Sequence, residues 1–238
     1  AAAMLDTMAL HWTDVANVVA DPPDKALDRG HDNWLMRQLY PLLSAARVRV
    51  QLTSPYFVPG DDGAARLTGV VARGVEVAVL TNSLAATDVA AVHGGYAPYR
   101  RQLVAGGVRL HELQPASGRA DLSLIGSRRA SLHTKGFTVD GRLGFVGSFN
   151  FDPRSESLNT EMGVVFEQPQ VVAEMDALFA DETRPEMSYA VTLDEGGRLG
   201  WQGIEDGKPV HYPRDPHAGA LRRLIAWIVG LLPLQSQL

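Results

Sequence analysis

The sequence predicts an α/β layered fold, and three observations carry that expectation. Helix-spaced and strand-like segments alternate three times between residues 32 and 113, and glycines close the second and third helices. A strong turn pair, Asp140-Gly141, then joins two strand-like runs. The composition agrees: of 238 residues 45% are hydrophobic and 21% charged, as in a folded globular chain and unlike a disordered or low-complexity one.

Element by element, residues 1–30 carry no regular period. Asp21-Pro22-Pro23-Asp24 opposes regular structure there, because proline lacks an N–H and restricts the residue before it. The stretch reads as a lead-in. From Asp32, the spacing of Trp34, Leu35, Leu39, Leu42 and Leu43 gives one apolar helical stripe, followed by a strand over 47–53. The second unit is a helix over 61–73 closed at Gly74 and a buried strand over 75–81. The third is a helix over 88–105 stopped by Gly106-Gly107 and a strand over 108–113. Residues 132–139 and 142–147 form the hairpin, 162–167 a strand and 169–180 a helix. Residues 188–212 alternate in short runs between glycine-rich turns, suggesting a small β extension. A final helix opens at Asp215-Pro216, read as N-cap and first position, and carries Leu221, Leu224, Ile225, Ile228, Leu231 and Leu232.

The formal charge of −5 does not advertise a nucleic-acid binder. Without cysteine there is no disulfide, thiolate metal site or cysteine nucleophile, which leaves the compartment open. The longest apolar run, residues 224–234, falls short of the roughly 20 residues of a spanning helix, so no bilayer crossing is expected. No secretory signal is expected in this stretch either.

The chemistry concentrates in residues 131–161. His133 and Lys135 are two apart, a spacing that puts both on one face of a strand. Ser148 and Asn150 repeat that spacing just past the hairpin, where Gly147 permits a close backbone approach. An imidazole, a lysine to neutralise non-bridging oxygens, and hydroxyl and amide donors suit a metal-free phosphodiester site. Glu161 is placed to orient the imidazole as a triad carboxylate does.

His-x-Lys alone recurs by chance, but seven positions in register do not. His133, Lys135, Asp140, Gly147, Ser148, Asn150 and Glu161 resemble the HKD motif of the phospholipase D superfamily, HxKxxxxDxxxxxxGSxN, with its downstream glutamate. Ser54-Pro55-Tyr56-Phe57-Val58-Pro59, Thr81-Asn82-Ser83-Leu84 and the stretch from His93 to Arg100 are similar to the C-terminal half of bacterial cardiolipin synthases. The resemblance covers roughly residues 10–238 and implies an α/β/α sandwich with a mixed sheet, plus a small C-terminal extension. It divides the chain into a lead-in over 1–30 similar to the connector between two halves, a catalytic half over 31–187, and an extension over 188–238. The implied catalytic set is His133, Lys135, Asp140 and Glu161, with Lys135, Ser148 and Asn150 binding the substrate phosphate; Asp140, at the turn, suits a structural role better than direct acid or base work. No cofactor or metal is implied.

Relatives carry two HKD motifs and this sequence has one, since no other histidine is followed by lysine at the second position. The implied activity is phosphatidyl transfer that makes cardiolipin from phosphatidylglycerol-type lipids through a phosphatidyl-histidine. The second histidine would come from another HKD half or a homodimer mate, and His133 is then either nucleophile or general acid. A peripheral place on the cytoplasmic side of a bacterial membrane follows from the same resemblance. A phospholipase D-type phosphodiesterase or a metal-independent homodimeric endonuclease would use the same residues, but the acidic balance and apolar tail disfavour nucleic acid; a lipid-binding half without activity is the non-enzyme reading. Tyr56, Phe57, His93 and Tyr96 are candidates to line the substrate channel, weighed against plain packing. Arg128-Arg129 either meet lipid phosphates or sit in a solvated loop. The final helix either lies in a membrane interface or covers the core.

Overall fold

The computed structural model describes residues 11–115 and 132–231. Among these the strands are β1 (Ala16–Ala20), β2 (Arg49–Thr53), β3 (Glu76–Asn82), β4 (Arg109–Leu113), β5 (Gly136–Val139), β6 (Leu143–Gly147), β7 (Met162–Phe166), β8 (Ser188–Leu193), β9 (Leu199–Glu205) and β10 (Lys208–Tyr212). They form one mixed, unclosed sheet in the order β1-β7-β6-β5-β2-β3-β4-β8-β9-β10. Only β2, β3 and β4 run parallel, each joined to the next by a helical crossover; the other pairs are antiparallel.

Side-chain parity sorts the helices into two layers. Val50 and Leu52 of β2 and Val77 and Val79 of β3 pack in one cluster with α1 (Leu35–Ser44), α2 (Gly60–Ala72) and α4 (Arg100–Ala105). The alternate residues of β3, Ala78 and Leu80, face Leu113, Leu132 and Phe179 of α6 (Pro169–Glu182). Burial on both faces explains why β3 reads as an unbroken apolar run. The expected α/β/α sandwich is therefore present.

Several local expectations differ. The lead-in, read as irregular, contains β1, an exposed edge strand whose Ala-Asn-Val-Val-Ala pattern signals little and whose order comes from pairing with β7. The single helix expected over 88–105 is instead α3 (Ala90–Tyr96), a 3₁₀ turn over Ala97–Tyr99, and α4. Pro98 lies at that break, where it cannot donate to the preceding turn. The β extension lengthens the main sheet, because β8 pairs with β4. The last helix, α7 (Ala220–Leu231), begins after Asp215, whose carboxylate pairs with Arg100 at 2.8 Å instead of capping it. Asp152, which accepts from Ser155 N–H at 2.7 Å, does cap a short helix, α5 (Pro153–Ser157), that was not anticipated.

Asp140 turns the β5–β6 hairpin with φ of 54°. Its carboxylate accepts from the backbone N–H groups of Arg47, Val48 and Arg49 at 3.0, 2.8 and 2.9 Å. Partial burial pushes its pKa up, but these bonds hold it below its ordinary value. The motif's aspartate thus fastens the turn to the chain entering β2, seven residues and about 23 Å of extended chain from His133. Asp140→Ala should cost about 1–2 kcal/mol in denaturant unfolding, whereas Asp140→Asn, which keeps an acceptor and tolerates positive φ, should retain most of the stability and full turnover. A large rate loss in folded Asp140→Asn would put that carboxylate in the chemistry.

Candidate active site

The backbone gathers the motif at one end of the β5–β6 hairpin. His133 and Lys135 lie in the extended segment just before β5, and Gly147 N–H donates to the Lys135 carbonyl at 3.1 Å, prolonging the ladder toward them. A Cβ at Gly147 would collide with the Met162 carbonyl. Asn82, at the carboxyl end of β3, brackets Leu132, accepting its N–H at 2.9 Å and donating to its carbonyl at 3.3 Å. His133 is thereby held over the carboxyl ends of the parallel strands, the usual place for sites in such sheets.

His133 is exposed and Lys135 half-buried. The ammonium donates to the His133 carbonyl at 2.8 Å and lies 3.5 Å from its Nε2. Burial lowers the proton affinity of Lys135, while the carboxylates of Glu161, Asp152 and Asp88 oppose that and favour the charged form. The result is a cation beside an accessible imidazole.

Across the hairpin, the Ser148 hydroxyl donates to Glu161 and accepts from Met162 N–H at 3.1 Å. The other Glu161 oxygen accepts from Ser155 Oγ at 3.0 Å. Among the described residues the two Glu161 oxygens therefore hydrogen-bond two serines and not His133, and the carboxylate's charge favours the protonated form of Lys135. Asn150 N–H lies 3.3 Å from Ser155 Oγ, while its side-chain oxygen is buried without a protein partner among the described residues.

Behind this layer sits an ion pair the sequence reading missed. Lys25 and Asp21 have fully buried side chains with Nζ 2.7 Å from Oδ2. Asp21 also accepts from Glu161 N–H at 2.9 Å and Leu35 N–H at 2.7 Å, and Lys25 donates to the Ser155 carbonyl at 2.8 Å. The available signal was an acid and a lysine four residues apart in a chain with only three lysines.

The remaining candidates flank the cluster. Tyr56 donates to the Asp88 carboxylate at 2.9 Å, and burial together with that acceptor pushes its pKa up to about 12. Phe57 is core: it bridges Phe151 and meets the Tyr96 ring edge-on. His93 and Tyr96 line, with Phe57 and Asn82, a small pocket. Both belong to a buried network around Arg100, which pairs with Glu112 at 2.9 Å and Asp215 at 2.8 Å and donates to His93 Nε2. Tyr96 and Trp201 donate to the two Glu112 oxygens at 3.1 and 2.9 Å. Burial and the Arg100 charge keep His93 below its ordinary pKa. Although His93, Glu112 and Asp215 converge as three metal ligands would, the Arg100 guanidinium supplies the positive charge among them. Arg128-Arg129 lie outside the described residues.

Two outcomes test this arrangement. Lys25→Met leaves Asp21 buried and unpaired, and should cost about 3–5 kcal/mol in denaturant unfolding; a passive lead-in would lose almost nothing. Burial raises the Asp152 carboxyl to about 6, against the pull of its Ser155 bonds. Its ordinary value is 3.8, so the folded chain keeps a proton that the unfolded chain releases, and stability falls as pH rises through that window. Asp152→Asn keeps the cap without the buried charge, and its stability relative to the parent should increase between about pH 4 and 6. An unchanging difference would remove Asp152 from the buried electrostatics.

Residues 39–182 match the family described as "Cardiolipin synthase, PLD-like domain". Cardiolipin synthase C of Escherichia coli strain K12 is 36% identical over 234 residues, 96% of this chain and 49% of that protein. The chain thus spans about half the length of that relative. Among solved structures, the phospholipase D family member Nuc from Salmonella typhimurium superposes with a TM-score of 0.53 at 17% identity, covering 70% of this chain and 92% of Nuc. Phosphatidylserine synthase from Haemophilus influenzae Rd KW20 gives 0.53 at 16% identity, covering 74% and 40%. These two likenesses concern the fold; the match over residues 39–182, on a hairpin that assembles an HKD cluster, makes the chain a member of the cardiolipin synthase, phospholipase D-like family.

Proposed function

We propose that the chain is one half of a phosphatidyltransferase that makes cardiolipin. The observation carrying this reading is the convergence of His133, Lys135, Ser148 and Asn150 at one hairpin end, in a chain 36% identical to a cardiolipin synthase. Lys135 and Asn150 bind the non-bridging oxygens of a phospholipid phosphodiester, where charge builds in the transition state. The His133 imidazole attacks phosphorus and the P–O bond to the headgroup alcohol breaks. The departing alkoxide takes a proton from a second histidine. The hydroxyl of a second phospholipid's glycerol headgroup returns a proton to that histidine, attacks phosphorus and frees His133. Exchanging the two histidines' roles leaves the binding groups unchanged. The second histidine comes from another phospholipase D-like half, either a preceding segment or a second copy.

Among the described residues no helix is long and apolar enough to cross a membrane, and this reading places the protein peripherally on a bacterial membrane.

The test uses phosphatidylglycerol vesicles and the enzyme with its second half. Cardiolipin should form in the presence of a chelator, because lysine and asparagine supply the charge stabilisation. His133→Ala should lower the rate about a thousandfold or more, and Lys135→Ala nearly as much, with unfolding curves unchanged. Near-normal cardiolipin formation in either variant would refute the site. Chelator-resistant cleavage of plasmid DNA, without turnover of phosphatidylglycerol, would move the assignment to a nuclease.

A further inference from the structure

Helix α7 is seated by its smallest residues. A Cβ on Gly94 of α3 would lie 2.5 Å from the Ala226 carbonyl, and one on Gly230 3.1 Å from the Gly94 carbonyl. The two backbones touch, so α7 buries only a narrow stripe centred on Ala226. Its larger side chains point elsewhere: Leu221, Leu224, Ile225, Trp227, Ile228 and Leu231 are 37% to 70% exposed. A helix apolar around most of its circumference is stable in water only if something covers it.

Charge indicates the cover. Arg222 and Arg223 occupy the first turns, where the helix dipole disfavours cations. Among the described residues neither pairs with a carboxylate: Arg222 donates to the carbonyls of Leu84 and Thr87 at 3.2 and 2.5 Å, and Arg223 to that of Asp215 at 2.8 Å. Two unneutralised guanidiniums in an otherwise acidic chain complement an anionic surface. The same contacts fix the location. Thr87 lines one pocket with Asn82, which hydrogen-bonds Leu132 next to His133, so α7 sits against the loop that borders the HKD cluster.

We infer that α7 docks the chain on an anionic phospholipid surface, inserting its apolar face among the headgroups beside the entrance to the His133 site. The inference rests on the phosphatidyltransferase reading for why the site needs that surface, but it is tested by binding alone. Arginine at one end, tryptophan in the middle and aliphatic residues along the exposed face match helices that lie in the interfacial plane.

The full chain should co-sediment with phosphatidylglycerol vesicles and bind pure phosphatidylcholine about tenfold or more weakly. Leu224→Glu/Ile228→Glu should lose binding by a similar factor with an unchanged melting temperature, because both side chains are exposed. His133→Ala should sediment like the parent, separating docking from turnover. In the unmodified chain, brominated acyl chains should quench a tryptophan signal that Trp227→Phe removes. Unchanged vesicle binding of the double variant, or equal quenching with and without Trp227, overturns the inference. Conversion of a dimer to a monomer by the double variant, with vesicle binding retained, also overturns it and assigns the face to a second copy.

Discussion

The buried pair between Lys25 and Asp21 carries more of the structure than its two residues suggest. Desolvating both charges is expensive, and attraction alone seldom recovers it. Here the remaining hydrogen-bonding capacity is engaged at once: Asp21 reaches Leu35 at the start of α1 and Glu161 at the start of β7, and Lys25 reaches Ser155 in α5. The start of α1 and the distant stretch 155–161 thus depend on one charge pair. Because Glu161 and Ser155 form the back wall of the HKD cluster, the lead-in is part of the site's foundation.

On that foundation the site is organised by unequal desolvation. The imidazole is exposed, its neighbouring ammonium half-buried, and the carboxylates of Glu161 and Asp152 buried behind them. Charge therefore grades from a sheltered negative wall to an accessible positive front. Serine hydroxyls spread the negative charge of Glu161 by hydrogen bonding. From solvent, the exposed imidazole and the half-buried ammonium are reached before the buried carboxylates.

Much of this was legible in the sequence, for identifiable reasons. The central strand β3 announces itself because residues buried on both faces must be apolar, and β2 does so through the alternation of Val50 and Leu52 with polar residues. The hairpin does so because Asp140-Gly141 is a turn with few alternatives. The cluster was legible because His133, Lys135, Ser148 and Asn150 are close in sequence as well as in space. What stayed hidden depends on partners remote along the chain. Strand β1 has no amphipathic period and is defined by β7; Asp215 looked like a helix cap because its real partner, Arg100, is 115 residues earlier. Glu161 was assigned to the histidine because sequence order cannot reveal that Ser148 and Ser155 take both its oxygens.

The Arg100 network also bears on how the chain is made. Its guanidinium sits between the rings of Tyr96 and Trp201, 4.9 and 5.2 Å from their centroids, with Glu112 and Asp215 as counter-charges. Tyr96 and Glu112 emerge from a ribosome close ahead of and close behind Arg100, but Trp201 and Asp215 follow only near the end of the described chain. Until then the cation lacks half its enclosure, and the sheet edge at β4 waits for β8. Completion of the interior is therefore tied to the arrival of the last strands, and a chain released early would leave β4 as an unpaired edge of the sheet.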